Sequence, residues 1–176
     1  VGQGCLFVLG LLLAQTLLDI PFSLYRTFVI EERFQFNAST PKLWLTDLLK
    51  SFAVGMILVC LLTAASLALV QASPNLWWLW VWGLFALIAL LLMYLSPVLI
   101  EPLFFKFQPL QDQALAERVK DVMKQAGLQV ERVQQVDASR RSKHSNAYFT
   151  GIGRVKRIVL FDTLLEQMSD DEILGV

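Results

Sequence analysis

The sequence contains fifty consecutive residues without a charged side chain, residues 51–100. At about 1.5 Å per residue, one helix of that length would measure about 75 Å, whereas the hydrocarbon core of a bilayer is about 30 Å thick. The run must therefore fold back once. Its only polar stretch with a proline is residues 71–75, where Pro74 disfavours helix at the preceding residue. The sequence thus predicts two membrane spans, roughly residues 52–70 and 76–95.

A third apolar stretch opens the chain, because residues 1–18 are uncharged and the apolar character continues towards Tyr25. It lacks the basic beginning and the small-residue cleavage site of a signal peptide. We therefore predict a membrane span over about residues 2–25, whose beginning we expect to lie outside this sequence. Three such stretches exceed what the core of a small soluble protein can cover.

Charge distribution predicts how the chain is oriented in the membrane. Basic residues near membrane spans collect on the cytoplasmic side. Five of them flank the predicted spans on one side, and the 71–75 turn has none: Arg26, Arg33, Lys42, Lys50 and Lys106. We expect a cytoplasmic loop over residues 26–50 and a cytoplasmic-facing soluble part, in the inner or plasma membrane or, in a eukaryote, the endoplasmic reticulum membrane.

Composition excludes several functions. The 15 basic and 15 acidic residues cancel, so the chain lacks the basic excess typical of nucleic-acid binding, and we expect no nucleic-acid partner. One histidine, His144, cannot form a histidine pair for a metal, and Cys5 and Cys60 lie in apolar stretches as inert packing residues. The sequence by itself therefore shows little catalytic machinery.

Residues 106–176 carry 21 of the 30 charges and have the pattern of a small α+β segment. Helical spacing of apolar residues predicts an amphipathic helix over residues 111–126, ended by Gly127. Downstream the sequence predicts a strand containing Val130, Val133 and Val136, followed by a polar loop at 139–145. Residues 147–150 and 157–161 are predicted to form a β-hairpin with its turn at 151–156. Two short helices follow, one over 164–168 capped by Asp162 or Thr163 and one beginning at Ser169 with Glu172 as its capping-box partner. That last helix has no more than two turns within this sequence, so we expect a frayed tail or a fragment.

Several collinear stretches closely resemble the type I CAAX prenyl proteases, which are integral-membrane zinc metalloproteases. The soluble matches are residues 137–151, 156–165 and 169–174, and the upstream matches are 21–34, 36–37, 97–104 and 109–110. The resemblance implies a helical membrane protein with about three transmembrane helices over residues 1–105. The N-terminal part of a metallopeptidase domain would follow over residues 106–176, as a helix, a β-hairpin and the start of the zinc helix.

The resemblance also implies zinc-dependent hydrolysis of peptide bonds in prenylated or membrane-associated proteins. In the family, an HExxH motif binds zinc through two histidines on one helix face, and its glutamate activates the bound water. That motif follows the segment matching residues 173–176, so we expect every zinc ligand and the catalytic glutamate to be missing from this chain. The chain alone is predicted to be inactive, with zinc present only in the full-length protein.

The segment matching residues 145–149 resembles the family's edge strand beside the zinc helix, where a peptide can add as a further strand. The implied substrate-binding residues are Asn146, as the principal candidate, with Ala147 and Tyr148 as strand contacts and His144 as a wall or loop residue. The alternative for Asn146 is that it closes a turn before an ordinary strand.

Two other functions remain open from the sequence. The chain could be a non-enzymatic, membrane-anchored interaction module completed by another chain. A transporter subunit is disfavoured, because transport usually requires polar or ionisable residues within the spans and residues 51–100 carry no charge.

Overall fold

The computed structural model describes residues 1–151 and 156–175. The α-helices and strands of these ranges follow one another in the order of the sequence. The helices are α1 (Gly2–Tyr25), α2 (Pro41–Ala72), α3 (Trp77–Leu95), α4 (Glu101–Phe104), α5 (Gln113–Gln125), α6 (Asp162–Gln167) and α7 (Asp170–Gly175), and the strands are β1 (Phe107–Pro109), β2 (Arg132–Val136), β3 (Ala147–Thr150) and β4 (Arg157–Phe161). The expected helical membrane region and α+β segment are both present.

Three helical stretches of the described residues are long and apolar enough to cross a bilayer: Gly2–Glu31, Pro41–Ala72 and Trp77–Phe104. Their apolar windows are almost entirely unburied within the chain itself. Such surfaces are stable only against lipid or other membrane helices, because water would have to solvate them otherwise. The first and third stretches continue past an α-helix through π-helical turns at Arg26–Glu31 and Ser96–Ile100.

The expected cytoplasmic loop over residues 26–50 is helical over much of that stretch, and its place relative to the bilayer stays a prediction. The first helix continues to Glu31, and α2 begins at Pro41, eleven residues before the predicted span. The start of α2 has an identifiable cause: Thr40 is the N-cap, its Oγ1 accepts the N–H of Leu43 at 3.2 Å, and proline occupies the first turn. Charged Lys42 and Lys50 concealed this start, because the predicted span was limited to uncharged residues.

By its internal contacts the chain divides into two compact units. The first comprises residues 1–33 and 40–92, and the second comprises residues 34–39 and 93–176. The predicted boundary between membrane region and soluble domain, after residue 105, stays a prediction, because contacts within the protein do not mark where a bilayer ends.

In the first unit, α1 and α2 pack side by side in opposite directions. Near one end, the indole Nε1 of Trp44 donates to Oγ of Ser23 at 3.0 Å. At the other end, a Cβ atom added to Gly4 would lie 2.6 Å from Leu67 Cδ1. A larger residue at position 4 would therefore require the Leu67 side chain to shift.

In the second unit, a four-stranded sheet has the order β1-β2-β4-β3. The β2–β4 pair is parallel, with Val133 opposite Ile158, and the two outer pairs are antiparallel. The predicted hairpin of β3 and β4 and the predicted strand β2 are confirmed; the predicted turn between the hairpin strands lies partly outside the described residues. Strand β1 and the parallel pairing were not predicted.

The sheet has two different faces. Helices α5, α6 and α7 cover one face over a core that includes Leu115, Val119, Ile158 and Leu164. The predicted helix α5 is confirmed, with Asp112 as its N-cap and Gly127 in the left-handed region at φ +78° just past its end. The opposite face has a smaller core, formed by Val136, Ala138 and Val159. Four partly buried aromatic side chains pack against it: Phe105, Phe107, Tyr148 and Phe161.

Residues 34–39 belong to the second unit although they lie in the sequence between α1 and α2. Asn37 forms an antiparallel bridge with Ser142, the N–H of Lys143 donates to the carbonyl of Phe36 at 2.9 Å, and the N–H of Ala38 donates to the carbonyl of Arg141 at 3.2 Å. This segment therefore pairs with the loop that leads into β3.

Candidate functional site

The loop before β3 is fixed by side chains from the start of α6. The N–H and the hydroxyl of Ser139 both donate to the carboxylate of Asp162, the first at 2.8 Å. Thr163 Oγ1 donates to the carbonyl of His144 at 2.9 Å. Asp162 and Thr163 were predicted to cap α6, but the N-cap position is Phe161, without a side-chain cap, and the two polar side chains hold the loop instead.

Strand β3 lies at one edge of the sheet, as the sequence predicts, and no further strand lies beyond it in the described part of the chain. The N–H of Phe161 donates to the carbonyl of Asn146 at 3.0 Å, so Asn146 bonds inward to β4. Inward and outward positions alternate along an antiparallel pair. Tyr148 therefore also bonds inward, and Ala147 and Phe149 turn their backbone N–H and C=O groups towards the open edge.

Asn146 lies at the start of this open edge, with an exposed side chain. Its Oδ1 accepts the outward N–H of Ala147 at 2.9 Å. The side-chain Nδ2 group carries two N–H donors, and the outward carbonyls of Ala147 and Phe149 are acceptors. The edge thus presents both donors and acceptors to an added chain.

His144 lies on the loop side of the edge strand and is exposed. Its ring stacks on Phe36, with 4.1 Å between ring centroids and 22° between the planes. Among the described residues no group of three or more His, Cys, Asp or Glu side chains could hold a metal ion. The structure places His144 in the loop beside the edge strand, and its role as a wall residue stays a prediction.

Tyr148 lies in a different place from the one predicted for a strand contact. Its backbone bonds to β4, and its side chain points to the sheet face opposite the helices, where the hydroxyl donates to Oε2 of Glu101 at 2.9 Å. Burial raises the pKa of Tyr148 well above its usual value, and the hydrogen bond to Glu101 raises it further.

Arg157 completes the contacts on this face and is only 9% exposed. Its Nη2 donates to Oε2 of Glu101 at 3.0 Å and to the carbonyl of Pro97 at 2.7 Å, and its Nη1 donates to Oε1 of Gln134 at 2.8 Å. The guanidinium also lies over the ring of Phe107, 4.3 Å from the centroid. Neither Glu101 nor Arg157 was singled out from the sequence, because Glu101 is 47 positions from Tyr148 along the chain and neither residue carries a local motif.

A groove of about 390 Å³ lies on the helix-covered face, next to the outward positions of β3. Its lining is almost wholly apolar. The lining residues are Val119, Val122, Met123, Ala147, Tyr148, Phe149, Ile158, Leu160, Ile173, Leu174 and Gly175. Phe149, which the sequence reasoning missed as a site residue, is 41% exposed there and contributes both an outward backbone and an apolar side chain. Alternation along β3 from Ala147 is the signal that could have found it.

The end of α7 forms one wall of the groove through Ile173, Leu174 and Gly175, and the beginning of the helix is capped. The N–H of Ser169 donates to Oε2 of Glu172 at 2.8 Å, and the Ser169 hydroxyl donates to the same oxygen at 2.7 Å. Glu172 thus performs its part of the predicted capping box. These two hydrogen bonds lower the pKa of Glu172, the backbone one most strongly. Arg118 of α5 donates to Asp171, which joins the two helices that flank the groove.

The chain has three membrane-length helices and a sheet whose open edge strand borders an apolar groove. These features define a membrane protein suited to binding a peptide in extended form. Family comparisons make this class specific. Residues 1–106 match the family described as CAAX prenyl protease N-terminal, five membrane helices, and residues 109–176 match peptidase family M48. The chain belongs to the CAAX prenyl protease family of M48 peptidases.

Individual relatives support the same assignment. The chain is 41% identical over 180 residues to CAAX prenyl protease 1 of Saccharomyces cerevisiae, with 100% of this chain and 39% of that protein covered. It is 36% identical over 176 residues to probable CAAX prenyl protease 1 of Schizosaccharomyces pombe, with 100% and 37% covered. The crystal structure of S. mikatae Ste24p matches with a TM-score of 0.90 at 38% identity, covering 98% of this chain and 41% of that chain. The chain spans about two-fifths of the length of the relatives it matches.

These matches confirm the resemblance, the fold class and the integral-membrane character predicted from the sequence, and they do not favour the interaction-module alternative. A metallopeptidase family implies a metal cofactor. The described residues do not fit that cofactor, because they bring no metal-binding group together and the chain's one histidine is stacked on Phe36. We therefore assign no catalytic step to them.

Proposed function

We propose that the protein is a membrane-embedded zinc endopeptidase that hydrolyses peptide bonds in prenylated or otherwise membrane-associated proteins. In this proposal the described residues form the membrane anchor and the substrate-binding wall, and the zinc ligands belong to another part of the full-length protein. One observation carries the assignment for this chain: Ala147 and Phe149 turn their backbone groups to an open edge beside an apolar groove.

Substrate would bind by adding a strand to β3. The carbonyl of Ala147 and both backbone groups of Phe149 can pair with an extended peptide, and main-chain pairing of this kind provides affinity without demanding a particular sequence. Because side chains alternate between the faces of a strand, every second substrate residue would point into the groove. The apolar lining favours aliphatic or aromatic side chains at those positions.

Asn146 is proposed to bind substrate through its side-chain amide. In the structure its Oδ1 occupies the N–H of Ala147, which leaves the Nδ2 donors available to a substrate carbonyl. A neutral hydrogen bond contributes about 0.5–1.5 kcal/mol. Asn146→Ala should therefore lower kcat/KM by about two- to twelvefold, since each 1.4 kcal/mol is a factor of ten.

The test uses the full-length gene product, purified in detergent and assayed on a prenylated peptide by mass spectrometry of the products. Asn75→Ala, in the turn between α2 and α3, is the matched control and should leave kcat/KM unchanged. Unchanged kinetics for Asn146→Ala, with the same melting temperature as wild type, would return Asn146 to the role of a turn residue. Absence of hydrolysis by the wild-type protein would contradict the proposed function itself.

The proposed location is the inner or plasma membrane, or the endoplasmic reticulum membrane in a eukaryote, with the sheet-containing unit facing the cytoplasm. The support is the one-sided set of basic residues, since the turn around Pro74 has none. Single cysteines at Asn75 and Lys124, in a background without Cys5 and Cys60, test this with a membrane-impermeant maleimide on intact cells. In the inner or plasma membrane, labelling at Asn75 alone is expected, and labelling at Lys124 alone would invert the topology. For the endoplasmic reticulum the reagent is applied to sealed microsomes, whose outer face is cytoplasmic, and labelling at Lys124 alone is expected.

A further inference from the structure

The carboxylate of Glu101 connects the edge strand to the segment that leaves the third apolar helix. One oxygen, Oε2, accepts both the hydroxyl of Tyr148 at 2.9 Å and Nη2 of Arg157 at 3.0 Å. Tyr148 belongs to β3, and Glu101 begins the short helix α4 at the end of the membrane-length stretch Trp77–Phe104. A shared charged acceptor fixes the two donors more firmly than a neutral one would.

The helix before Glu101 has an unusual backbone, and Arg157 supplies a hydrogen-bond donor that this backbone lacks. At Ser96–Ile100 the helix is π-helical, and the N–H of Glu101 donates to the carbonyl of Ser96. In the same register the carbonyl of Pro97 would accept from residue 102, which is a proline and has no N–H. Nη2 of Arg157 supplies the missing donor at 2.7 Å. The arginine of β4 is thereby tied to the backbone of this stretch as well as to its carboxylate.

These contacts bring four parts of the chain to one point: the π-helical turn, α4, the edge strand and its neighbour β4. The side chains involved are half-buried or buried, with Glu101 25% and Arg157 11% exposed. Partial burial reduces screening by salt and keeps the pair stronger than a surface ion pair. Strand β3, whose register is fixed by its pairing with β4, is therefore also tied to the residues that follow the third apolar helix.

We propose that Glu101 is a positioning residue that holds the edge strand in register with the end of the third membrane helix, so that a membrane-anchored substrate reaches β3 at the correct depth. This inference rests on the proposed function. Glu101 does not touch the open edge of β3, because Tyr148 reaches it from the opposite face of the sheet. Its effect on hydrolysis would thus be exerted through Tyr148.

The proposal predicts a difference between two substrates of identical sequence, one prenylated and held in a bilayer, the other unprenylated and soluble. A soluble peptide can approach β3 from any direction, whereas an anchored peptide is held at a fixed distance from the membrane. Loss of the Glu101 contacts should therefore reduce kcat/KM for the anchored substrate about tenfold and for the soluble one about twofold at most. A purely structural role would reduce both equally.

The experiment uses the full-length protein reconstituted in lipid vesicles. Glu101→Ala removes both contacts, Tyr148→Phe removes only the hydroxyl, and Glu101→Gln keeps an oxygen that accepts both hydrogen bonds. The matched controls are Glu166→Ala, at an exposed position of α6, and Tyr94→Phe in α3. Both are expected to behave as wild type on both substrates. Glu101→Gln should recover most of the activity that Glu101→Ala loses.

Selective loss on the anchored substrate in Glu101→Ala and Tyr148→Phe, with recovery in Glu101→Gln, supports the proposal. An equal loss of kcat/KM on both substrates, or no loss on either, overturns the proposal about Glu101. Hydrolysis by the wild-type protein then still supports the proposed function. If Glu101→Ala does not fold, Tyr148→Phe decides, because the ring and its packing against Phe161 remain. A wild-type protein that hydrolyses neither substrate contradicts the proposed function and this inference together.

Discussion

Replacing Arg157 by methionine is the most informative test of the structure, because the described residues include both a largely buried and an exposed arginine–carboxylate pair. The Arg157–Glu101 pair is largely buried, with three hydrogen bonds from one guanidinium and a ring beneath it. The pair of Arg118 with Asp171 is exposed, with the two side chains 46% and 86% accessible. Methionine retains most of the apolar stem in both cases and removes only the charged group.

The size of the effect follows from burial. Removing one partner of a buried ion pair costs about 3–5 kcal/mol. Glu101 keeps the hydroxyl of Tyr148 in the variant, and Nε of Arg157 has no acceptor among the described residues, so the lower end applies, about 3 kcal/mol. For a chain of this size that corresponds to a fall in melting temperature of about 6–12 °C.

Thermal unfolding in detergent, followed by intrinsic tryptophan fluorescence, measures this fall. Arg118→Met is the matched control and should leave the melting temperature unchanged within error, because water and salt screen the exposed pair. Adding 1 M NaCl should likewise leave the difference between wild type and Arg157→Met unaltered. A fall smaller than about 2 °C, or one equal to that of Arg118→Met, would show that the Arg157 contacts do not stabilise the fold.

Three further predictions concern single side chains. Because burial raises the pKa of Tyr148, stability contributed by its neutral form is complete below pH 10 and declines as the pH rises further, so Tyr148→Phe should flatten the alkaline part of a stability–pH curve. The lowered pKa of Glu172 has the opposite sign: its capping contribution is present above the ordinary glutamate pKa and is lost in acid. Glu172→Gln should therefore reduce the pH dependence of the hydrogen-exchange protection factors at the start of α7 between about pH 3 and 5. Protection factors that vary with pH as strongly as in the wild type would contradict this. Leu164 is 1% exposed in the core beneath α6, and Leu164→Ala should cost about 2–5 kcal/mol in chemical unfolding, whereas a loss under 1 kcal/mol would mean that the core is loosely packed.

The parts of the fold that the sequence predicts are those coded locally. Hydropathy placed the apolar helices because a membrane span needs a long uninterrupted run, and Pro74 marked the turn between α2 and α3. The spacing of apolar residues predicted α5, and turn-forming residues between two strand-like stretches predicted the β3–β4 hairpin. Gly127 marked the end of α5. Each of these signals is complete within about twenty residues.

The parts that sequence reasoning missed depend on residues distant along the chain. Strand β1 is three residues long and contains Pro109, so neither period nor propensity identifies it. Tyr148 was expected to contact a peptide, but its register opposite Val159 turns its backbone inward. Its partner Glu101 lies 47 positions away. The sequence indicates it only as one residue of a segment that resembles the family. A site assembled from such contacts has no signature in any single stretch of sequence.

The bridge between Asn37 and Ser142 also constrains the order in which the chain can fold. The two residues are separated by about 100 positions, a length that a ribosome synthesises in roughly 5–20 s. During that interval α2 and α3 are made, while Phe36 and its neighbours have no partner strand to pair with. The link between the first two membrane helices therefore becomes ordered only when the loop before β3 has been made, so a defect in that loop during synthesis would leave a segment far upstream open to proteolysis or mispairing.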